Sequence, residues 1–377
     1  MLLNEEQRIL EDSVRGFIKD NAPVEQLRRL RDSSDGLGYD AQLWNQLIEL
    51  GLSCAVLPEA HGGLAVGWLG MGAVMEACGA HLVASPLLAT TVFGASLLEL
   101  AASPEQQQRW LAPVAAGEMT LAVALDESHH FAPLMTTATL IREGEHWRLS
   151  GQKRLVIDGH SANQLLVVAR SGGEPGDSEG LSLVAIDPAR DGVRVRRTTL
   201  MDGRNAATIT LDQVVVSDDE IVGTPGQVWP ALEQALDRTS ACLAAEMLGG
   251  ATEVFDRTID YLKEREQFDA KIGSFQALQH RAGQMFCQLQ QCRSAVLNAL
   301  QSLDHDAPDR SKQVSLAKAL ANECYKHLTN EAVQMHGGMG VTDELDIGLY
   351  LKRARVSIQT FGDTRYHRDR YATCMGF

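Results

Sequence analysis

Apolar residues recur at helical spacing towards both ends of the chain. Near the start, Asn4 and Gln7 have the spacing of a helix cap and first turn, and apolar residues follow every three to four positions. Between Phe275 and Leu303 the apolar positions again alternate mostly between steps of three and four, which is typical of a helix packed in a bundle. The pair Gly337-Gly338 ends the helix that follows.

The middle of the chain has a shorter period. Turn signals such as Gly151-Gln152-Lys153 and Asp202-Gly203 separate short runs that read as strands. These runs cover residues 120–125, 137–141, 146–150, 164–169, 181–186 and 207–216. The pattern predicts an α+β protein in three domains: a helical domain over 1–118, an antiparallel β-barrel or sandwich over 119–224, and a four-helix-type bundle over 225–377.

Composition narrows the class of protein. Hydrophobic content of 45% and charged content of 22% are ordinary for a globular chain, and a net charge of −15 argues against nucleic acid or an anionic membrane as the main partner. Seven scattered cysteines without a CxxC pair indicate neither a metal site nor a disulfide framework. No run of eighteen apolar residues and no signal-peptide pattern is present, so we expect a cytoplasmic chain without a membrane span.

Several ordered motifs match one family. They are N-E-E-Q at the start, L-P-E-A-H-G-G from Leu57, G-Q-K from Gly151, R-E-Q-F from Arg265, and Q-M-H-G-G-M-G from Gln334. Together with the α–β–α order they resemble the acyl-CoA dehydrogenase family over essentially the whole chain. The segments L-A-A-E-M-L-G and F-G-D-T further resemble a branch exemplified by the small subunit of pimeloyl-CoA dehydrogenase.

The resemblance implies an activity and a cofactor. Members bind FAD and desaturate an acyl-CoA: a carboxylate removes the α-proton while the β-hydrogen leaves as hydride to flavin N5. Such a site must hydrogen-bond the thioester oxygen as charge develops, and the flavin carries the hydride chemistry. It also implies an electron-transfer flavoprotein as electron acceptor and a dimer of dimers, made of identical chains or of α2β2 composition.

The resemblance further implies flavin-contacting positions, most of which reach the cofactor across a subunit interface. They are Arg265, Phe268, Gln276, Gln334, Gly337, Gly338 and Thr364. Arginine suits a pyrophosphate because its fork donates two parallel hydrogen bonds, and glycines allow close approach. The alternative is that Arg265 is a solvated helix residue and the glycines only end a helix.

The β-domain departs from the family pattern. Where members have T-E-P-x-x-G-S-D and M-W-x-T-N, which contact flavin and substrate, this chain has L-D-E-S-H-H from Leu125 and R-L-V-I-D from Arg154. Two explanations stay open. The chain lends its helical half-site to a complete partner subunit, or it binds flavin through substitute contacts.

The glutamate that serves as catalytic base in the family is missing from both of its expected positions. Aligned on Thr364, the family's glutamate falls on Gly362, and the alternative glutamate position of another branch falls on Thr239. Two replacement candidates remain, Glu246 and Asp363.

Each replacement candidate has a second interpretation. Glu246 lies two helical turns after Thr239 among small apolar residues, which raise a carboxyl pKa as a base requires. A glutamate in such surroundings can equally form a buried ion pair, here with Arg353 or Arg368. Asp363 follows a glycine and can point elsewhere.

Further basic residues near the C-terminus can hold phosphates or form salt bridges, and Arg238 is a candidate at the substrate mouth. His367 reads either as a proton relay or as a packed side chain. The function we expect is FAD-dependent desaturation of an acyl-CoA by this chain alone or as one subunit. The alternatives are a non-catalytic subunit that completes a partner's flavin site and, less favoured, a flavin monooxygenase on the same fold.

Overall fold

The computed structural model describes residues 3–33 and 36–377. Helices dominate both the first and the last third of the chain. The α-helices are α1 (Glu5–Asn21), α2 (Val24–Asp32), α3 (Ala41–Glu49), α4 (Gly67–Ala80), α5 (Ser96–Ala101), α6 (Pro104–Ala115), α7 (Trp229–Glu264), α8 (Gln276–Asp304), α9 (Arg310–His336), α10 (Ile347–Gln359) and α11 (Thr364–Cys374). A π-helix, Leu88–Ala95, precedes α5.

The strands cluster in the middle of the chain. They are β1 (Leu121–Ala124), β2 (Thr139–Glu143), β3 (His146–Ile157), β4 (Gln164–Arg170), β5 (Leu181–Ile186), β6 (Val193–Thr199), β7 (Asn205–Val216) and β8 (Ile221–Val222), with a small hairpin of β9 (Glu266–Gln267) and β10 (Ala270–Lys271) later. The large sheet has the order β6-β7-β3-β2-β4-β5-β8, and β1 pairs with β4. The predicted succession of helices, strands and helices is therefore confirmed.

The chain forms two compact units. The first contains the residues up to Arg29 together with Trp68–Val83 and Ser240–Phe377, and the second contains Leu30–Gly67 and Ala84–Thr239. The three domain boundaries given above stay a prediction. No helix in the described part of the chain is long and apolar enough to cross a membrane.

Local sequence signals explain where helices begin. The side chain of Asn4 accepts a hydrogen bond from the Gln7 amide while Gln7 bonds back to the Asn4 amide, which is a complete capping box. Ser103 and Gln106 repeat this arrangement at α6, where Pro104 occupies the first helical position. The predicted end of α9 is confirmed as well, because Gly337 adopts a φ of +59° directly after His336.

The β-sheet corrects two expectations. It is mixed, since β1 and β2 both run parallel to β4, instead of purely antiparallel. Gly151-Gln152-Lys153 is not a turn but lies inside β3, where the register shifts between Leu149 and Gly151. A Cβ on Gly151 would lie 2.6 Å from the Cβ of Ala138, so this glycine permits a β-bulge.

Candidate functional site

A short turn between α10 and α11 contains Gly362 and Asp363, two residues that the sequence analysis connects with the catalytic base. In this turn, which we call the corner turn (Phe361–Asp363), Phe361 has a φ of +56° and Gly362 a φ of +104°. Gly362 is the residue that the alignment on Thr364 predicts at the family's glutamate position, and the structure leaves no space for a side chain there. A Cβ would lie 2.5 Å from Tyr366 Cδ1 and 2.9 Å from His367 Nε2. The corner turn is therefore built around a glycine.

Asp363 serves the backbone of the next helix. It is the N-cap of α11, and its carboxylate accepts a hydrogen bond from the Tyr366 amide at 2.8 Å. An aspartate at this position stabilises the helix start by about 1 kcal/mol. This contact supports the interpretation that the Asp363 side chain points away from the base position.

Two buried side chains, Lys318 and His367, hydrogen-bond to the backbone carbonyls of the corner turn. The ammonium group of Lys318 donates to Gly362 O at 3.2 Å, Ser357 O at 3.1 Å and Asn322 Oδ1 at 2.8 Å. Burial, together with the charge of Arg353, lowers the pKa of Lys318 to about 7. Sequence reasoning missed this residue, although a lysine inside the apolar run S-L-A-K-A-L-A was a signal of a buried, bonded cation.

His367 is the second support. Its Nε2 lies 2.9 Å from Phe361 O, and because a carbonyl only accepts, Nε2 carries the proton. Burial and the nearby charge of Lys318 lower its pKa to about 3, so the imidazole is neutral. This geometry favours the packed side chain over the proton relay.

Glu246 forms the ion pair that the sequence left open. Its carboxylate accepts two hydrogen bonds from Arg353, at 2.9 and 3.0 Å, and the two residues are 3% and 7% exposed. Arg368, the other proposed partner, pairs instead with Glu323. Both oxygens of Glu246 are thus engaged by a guanidinium, which favours the structural alternative for this residue.

The small residues around Glu246 serve helix packing. A Cβ on Gly249 would lie 1.9 Å from the carbonyl oxygen of Glu76, and one on Gly79 would lie 1.9 Å from that of Glu246. Helices α4 and α7 therefore cross at backbone contact distance. Close helix packing therefore explains the small apolar residues around Glu246, which the sequence analysis also connected with a catalytic base.

The other proposed flavin contacts form an exposed surface on the first unit. We call them the surface group: Arg265, Phe268, Gln276, Gln334, Gly337 and Gly338, all of which are exposed. Phe268 and Asp269, the turn of the β9–β10 hairpin, both have positive φ, at +55° and +58°. An 89% exposed phenylalanine in this backbone conformation is unusual, and the flavin contact of Phe268 stays a prediction.

Contacts between helices bring the surface group together. Tyr261 on α7 stacks on His336 at a ring distance of 4.3 Å, which places the start of the hairpin near Gly337. Arg281 on α8 pairs with Glu331 on α9 at 2.5 Å, which brings the start of α8 close to Gln334. Thr364 lies elsewhere: sixteen residues, or about 24 Å of helix, separate Lys318 at the corner turn from Gln334.

The surface group fits an extended phosphate-bearing cofactor. A Cβ on Gly338 would meet nothing within 4 Å, so packing inside the chain does not require this glycine. A ligand or second chain that approaches the backbone would require it. Arg265 and the amides of Gln276 and Gln334 offer the donors that a pyrophosphate and a flavin ring accept.

The β-domain segment that departs from the family pattern contains two carboxyl groups, Asp126 and Glu127. Lys153 is fully buried and donates to Glu127 at 2.7 Å and to Leu125 O at 3.0 Å. Burial alone would raise the pKa of Glu127, but Lys153 and Thr137 lower it. Asp126 has a buried Oδ1 without a hydrogen-bond partner among the described residues, and burial raises its pKa to about 7. This segment differs in chemistry from a typical flavin-facing loop.

Arg238 is engaged by a carboxylate. It pairs with Glu99 at 2.6 Å. A cavity of about 320 Å³ lined by Leu100, Gln234 and neighbouring residues lies next to this pair. The substrate role of Arg238 stays a prediction.

Three family descriptions match consecutive parts of the chain. The N-terminal, middle and C-terminal domains of acyl-CoA dehydrogenase match residues 4–118, 124–214 and 226–375. The fold and these three matches define a flavin-dependent oxidoreductase of the acyl-CoA dehydrogenase type. The chain belongs to the acyl-CoA dehydrogenase family, and its cofactor is FAD.

Named relatives cover nearly the whole chain. Acyl-CoA dehydrogenase IpdE2 of Mycolicibacterium smegmatis is 29% identical over 96% of each chain. A variant of the Tcur3481-Tcur3483 steroid ACAD is 30% identical, with a TM-score of 0.87 and coverage of 99% and 98%. The ChsE4-ChsE5 complex from Mycobacterium tuberculosis is 26% identical, with a TM-score of 0.88 and the same coverage.

Proposed function

We propose that this chain is the subunit without a catalytic base in an α2β2 acyl-CoA dehydrogenase, and that a second, complete chain supplies the carboxylate. The observation that carries the proposal is Gly362, which stands at the base position with no space for a Cβ. Two of the similar structures carry names of paired chains, Tcur3481-Tcur3483 and ChsE4-ChsE5, which supports a heteromeric assembly.

The two remaining carboxylates do not replace the missing base. Glu246 is bound by Arg353 on both oxygens, and Asp363 caps α11. A base must reach the α-proton of the substrate with a free oxygen. Thr239 offers no substitute, because its buried hydroxyl donates to Ala235 O at 2.7 Å. The proposal that Glu246 or Asp363 acts as base is therefore the less favoured alternative.

In this proposal the surface group binds the FAD of the partner subunit. Arg265 binds the pyrophosphate of the partner's FAD, Phe268 packs on the cofactor, and Gly338 lets the backbone approach it. Bound FAD supplies the hydride-accepting ring. Exposed apolar side chains beside the surface group, Phe275 and Val341, give the partner an apolar contact area.

The β-domain of this chain supports the same division of work. Asp126 and the segment from Arg154 lack the hydroxyl donors and the tryptophan of a self-sufficient flavin site. We extend the proposal to the branch exemplified by the pimeloyl-CoA dehydrogenase small subunit, and to an electron-transfer flavoprotein as electron acceptor. The acyl chain of the substrate is left open, and a homo-oligomer is the alternative assembly.

Reconstitution tests the proposal. This chain is co-expressed with a second acyl-CoA dehydrogenase chain from the same organism that has a glutamate at the base position. We expect acyl-CoA oxidation only from the pair, and loss of activity when that glutamate of the second chain becomes glutamine. Activity of the single chain that depends on Glu246 would contradict the proposal.

A further inference from the structure

The first unit contains a cavity of about 430 Å³ between α1, α4, α7 and α8, which we call the α4–α8 pocket. Its apolar wall consists of Leu69, Ala73, Ala245, Val296, Leu297 and Leu300. The lining residues extend over seven residue steps on α4 and seven on α8, which is about 10 Å of each helix. This volume and this apolar wall are typical of pockets that hold small molecules.

Two ion pairs lie at the edge of the α4–α8 pocket. Glu76 on α4 pairs with Arg293 on α8 at 2.8 Å, and Glu11 pairs with Arg15 on α1 at 2.6 Å. Three of these four side chains line the pocket, and each carboxylate has an arginine beside it. The charges of the two pairs therefore cancel, and the carboxylates disfavour a ligand with several negative charges.

Arg8 carries the remaining charge at this edge. It lines the pocket and forms no ion pair with any residue in 3–33 or 36–377. Its Nε and Nη2 both donate to Leu3 O, at 3.3 and 3.2 Å, and its Nη1 bonds to none of the described residues. The edge of the pocket thus has one more positive than negative charge, and part of a planar donor fork is available to a ligand.

The α4–α8 pocket is separate from the surface group and from the corner turn. Arg293 lies seventeen residues, or about 26 Å of helix, after Gln276 on α8. None of the residues Phe361–Asp363 lines the pocket. A ligand in the pocket therefore occupies neither the proposed flavin surface nor the turn.

We propose that the α4–α8 pocket binds a medium-chain alkyl carboxylate, with the alkyl chain along the apolar wall and the carboxylate on Arg8. A guanidinium bonds a carboxylate through parallel hydrogen bonds, and the apolar wall removes the chain from water. A monoanion matches the single excess charge, whereas the phosphates of an acyl-CoA would approach Glu11 and Glu76. The inference goes beyond the proposed function and does not depend on it, because a free carboxylic acid is neither substrate nor product of acyl-CoA desaturation.

Isothermal titration calorimetry tests the proposal on the full chain with FAD added. The probes are octanoate, octanol and octylammonium, which share the alkyl chain and differ in the charge of the head group. We expect saturable binding of octanoate, weaker binding of octylammonium, and no displacement of octanoate by octanoyl-CoA.

Variants of Arg8 test the charge. Arg8→Gln should weaken octanoate binding about fivefold, the effect of a partly exposed ion pair, and leave octanol binding unchanged. Arg8→Glu should reverse the preference, so that octylammonium binds more tightly than octanoate. Lys19→Gln is the matched control, since it makes the same charge change at an exposed position of α1 outside the pocket, and it should leave all three Kd values unchanged.

A second pair of variants tests the apolar wall. Ala73→Leu fills the pocket and should abolish binding of octanoate and octanol alike. Ala295→Leu makes the same change at a partly buried position of α8 outside the pocket and should leave both Kd values unchanged. If Ala73→Leu does not fold, the Arg8 variants decide, because Arg8 is exposed and its replacement leaves the core intact.

The inference is overturned if octanoate shows no saturable binding, if octanoyl-CoA displaces it, or if the wild-type chain binds octanoate and octylammonium equally. Equal effects of Arg8→Gln and Lys19→Gln, or unchanged binding in folded Ala73→Leu, overturn it as well. Desaturation by the chain alone would contradict the proposed function instead and has no bearing on these titrations.

Discussion

The buried pair of Glu246 and Arg353 offers a sharp test of the structural account. Glu246→Gln keeps the shape of the side chain but removes the carboxylate charge that pairs with the buried Arg353 guanidinium. Removal of one partner of a buried pair costs about 3–5 kcal/mol in unfolding free energy. We expect a clear fall in the urea midpoint and in Tm, because both members of the pair are buried.

A double-mutant cycle isolates the interaction. Arg353→Met alone leaves a buried carboxylate and is also strongly destabilising, whereas Glu246→Gln combined with Arg353→Met recovers most of the loss. Glu323→Gln is the matched control, since it breaks an exposed pair with Arg368 and costs at most about 1 kcal/mol. Unchanged stability in Glu246→Gln, together with lost acyl-CoA oxidation, would refute this reasoning and point to a base.

Three further predictions follow from single residues. The pKa of Asp126 is raised from 3.8 to about 7 in the fold, so its carboxyl group lowers stability as pH rises through this range. Asp126→Asn should therefore raise the free energy of unfolding by on the order of 4 kcal/mol above pH 7 and leave it unchanged below about pH 4. Urea unfolding at both pH values measures this difference. Gly362→Ala should destabilise by about 1–3 kcal/mol, because both its φ and its neighbours oppose a Cβ; an unchanged Tm would contradict the geometry of the corner turn. Phe268→Ser should leave the Tm of the single chain unchanged and weaken assembly with the second chain in sedimentation experiments, whereas equal assembly would exclude the surface group from the interface.

Local signals predicted the elements that local chemistry determines. The Asn4 capping box, the glycine stop after α9 and the run of β5 were readable because they depend on residues a few positions apart. Strand β6 was missed although Val193 to Arg196 alternate apolar and polar residues, because this charged edge strand has no buried residue. The extension of β3 was missed because a glycine that permits a bulge looks like a turn.

The site was predictable only in part. The resemblance named the surface group, and interhelical contacts bring its members together. The partner of Glu246 lies 107 residues away, so the choice between Arg353 and Arg368 had to come from helix packing. The absence of space at Gly362 depends on Tyr366 and His367 one turn later, which residue order alone does not reveal.

The visible spectrum of the chain purified alone tests the central claim most directly. Under anaerobic conditions with added FAD, octanoyl-CoA is titrated in while the flavin absorbance near 450 nm is recorded, about the usual maximum for oxidised flavin. The account predicts that octanoyl-CoA causes no bleaching until the second chain is added. Bleaching of flavin bound to the single chain would contradict it.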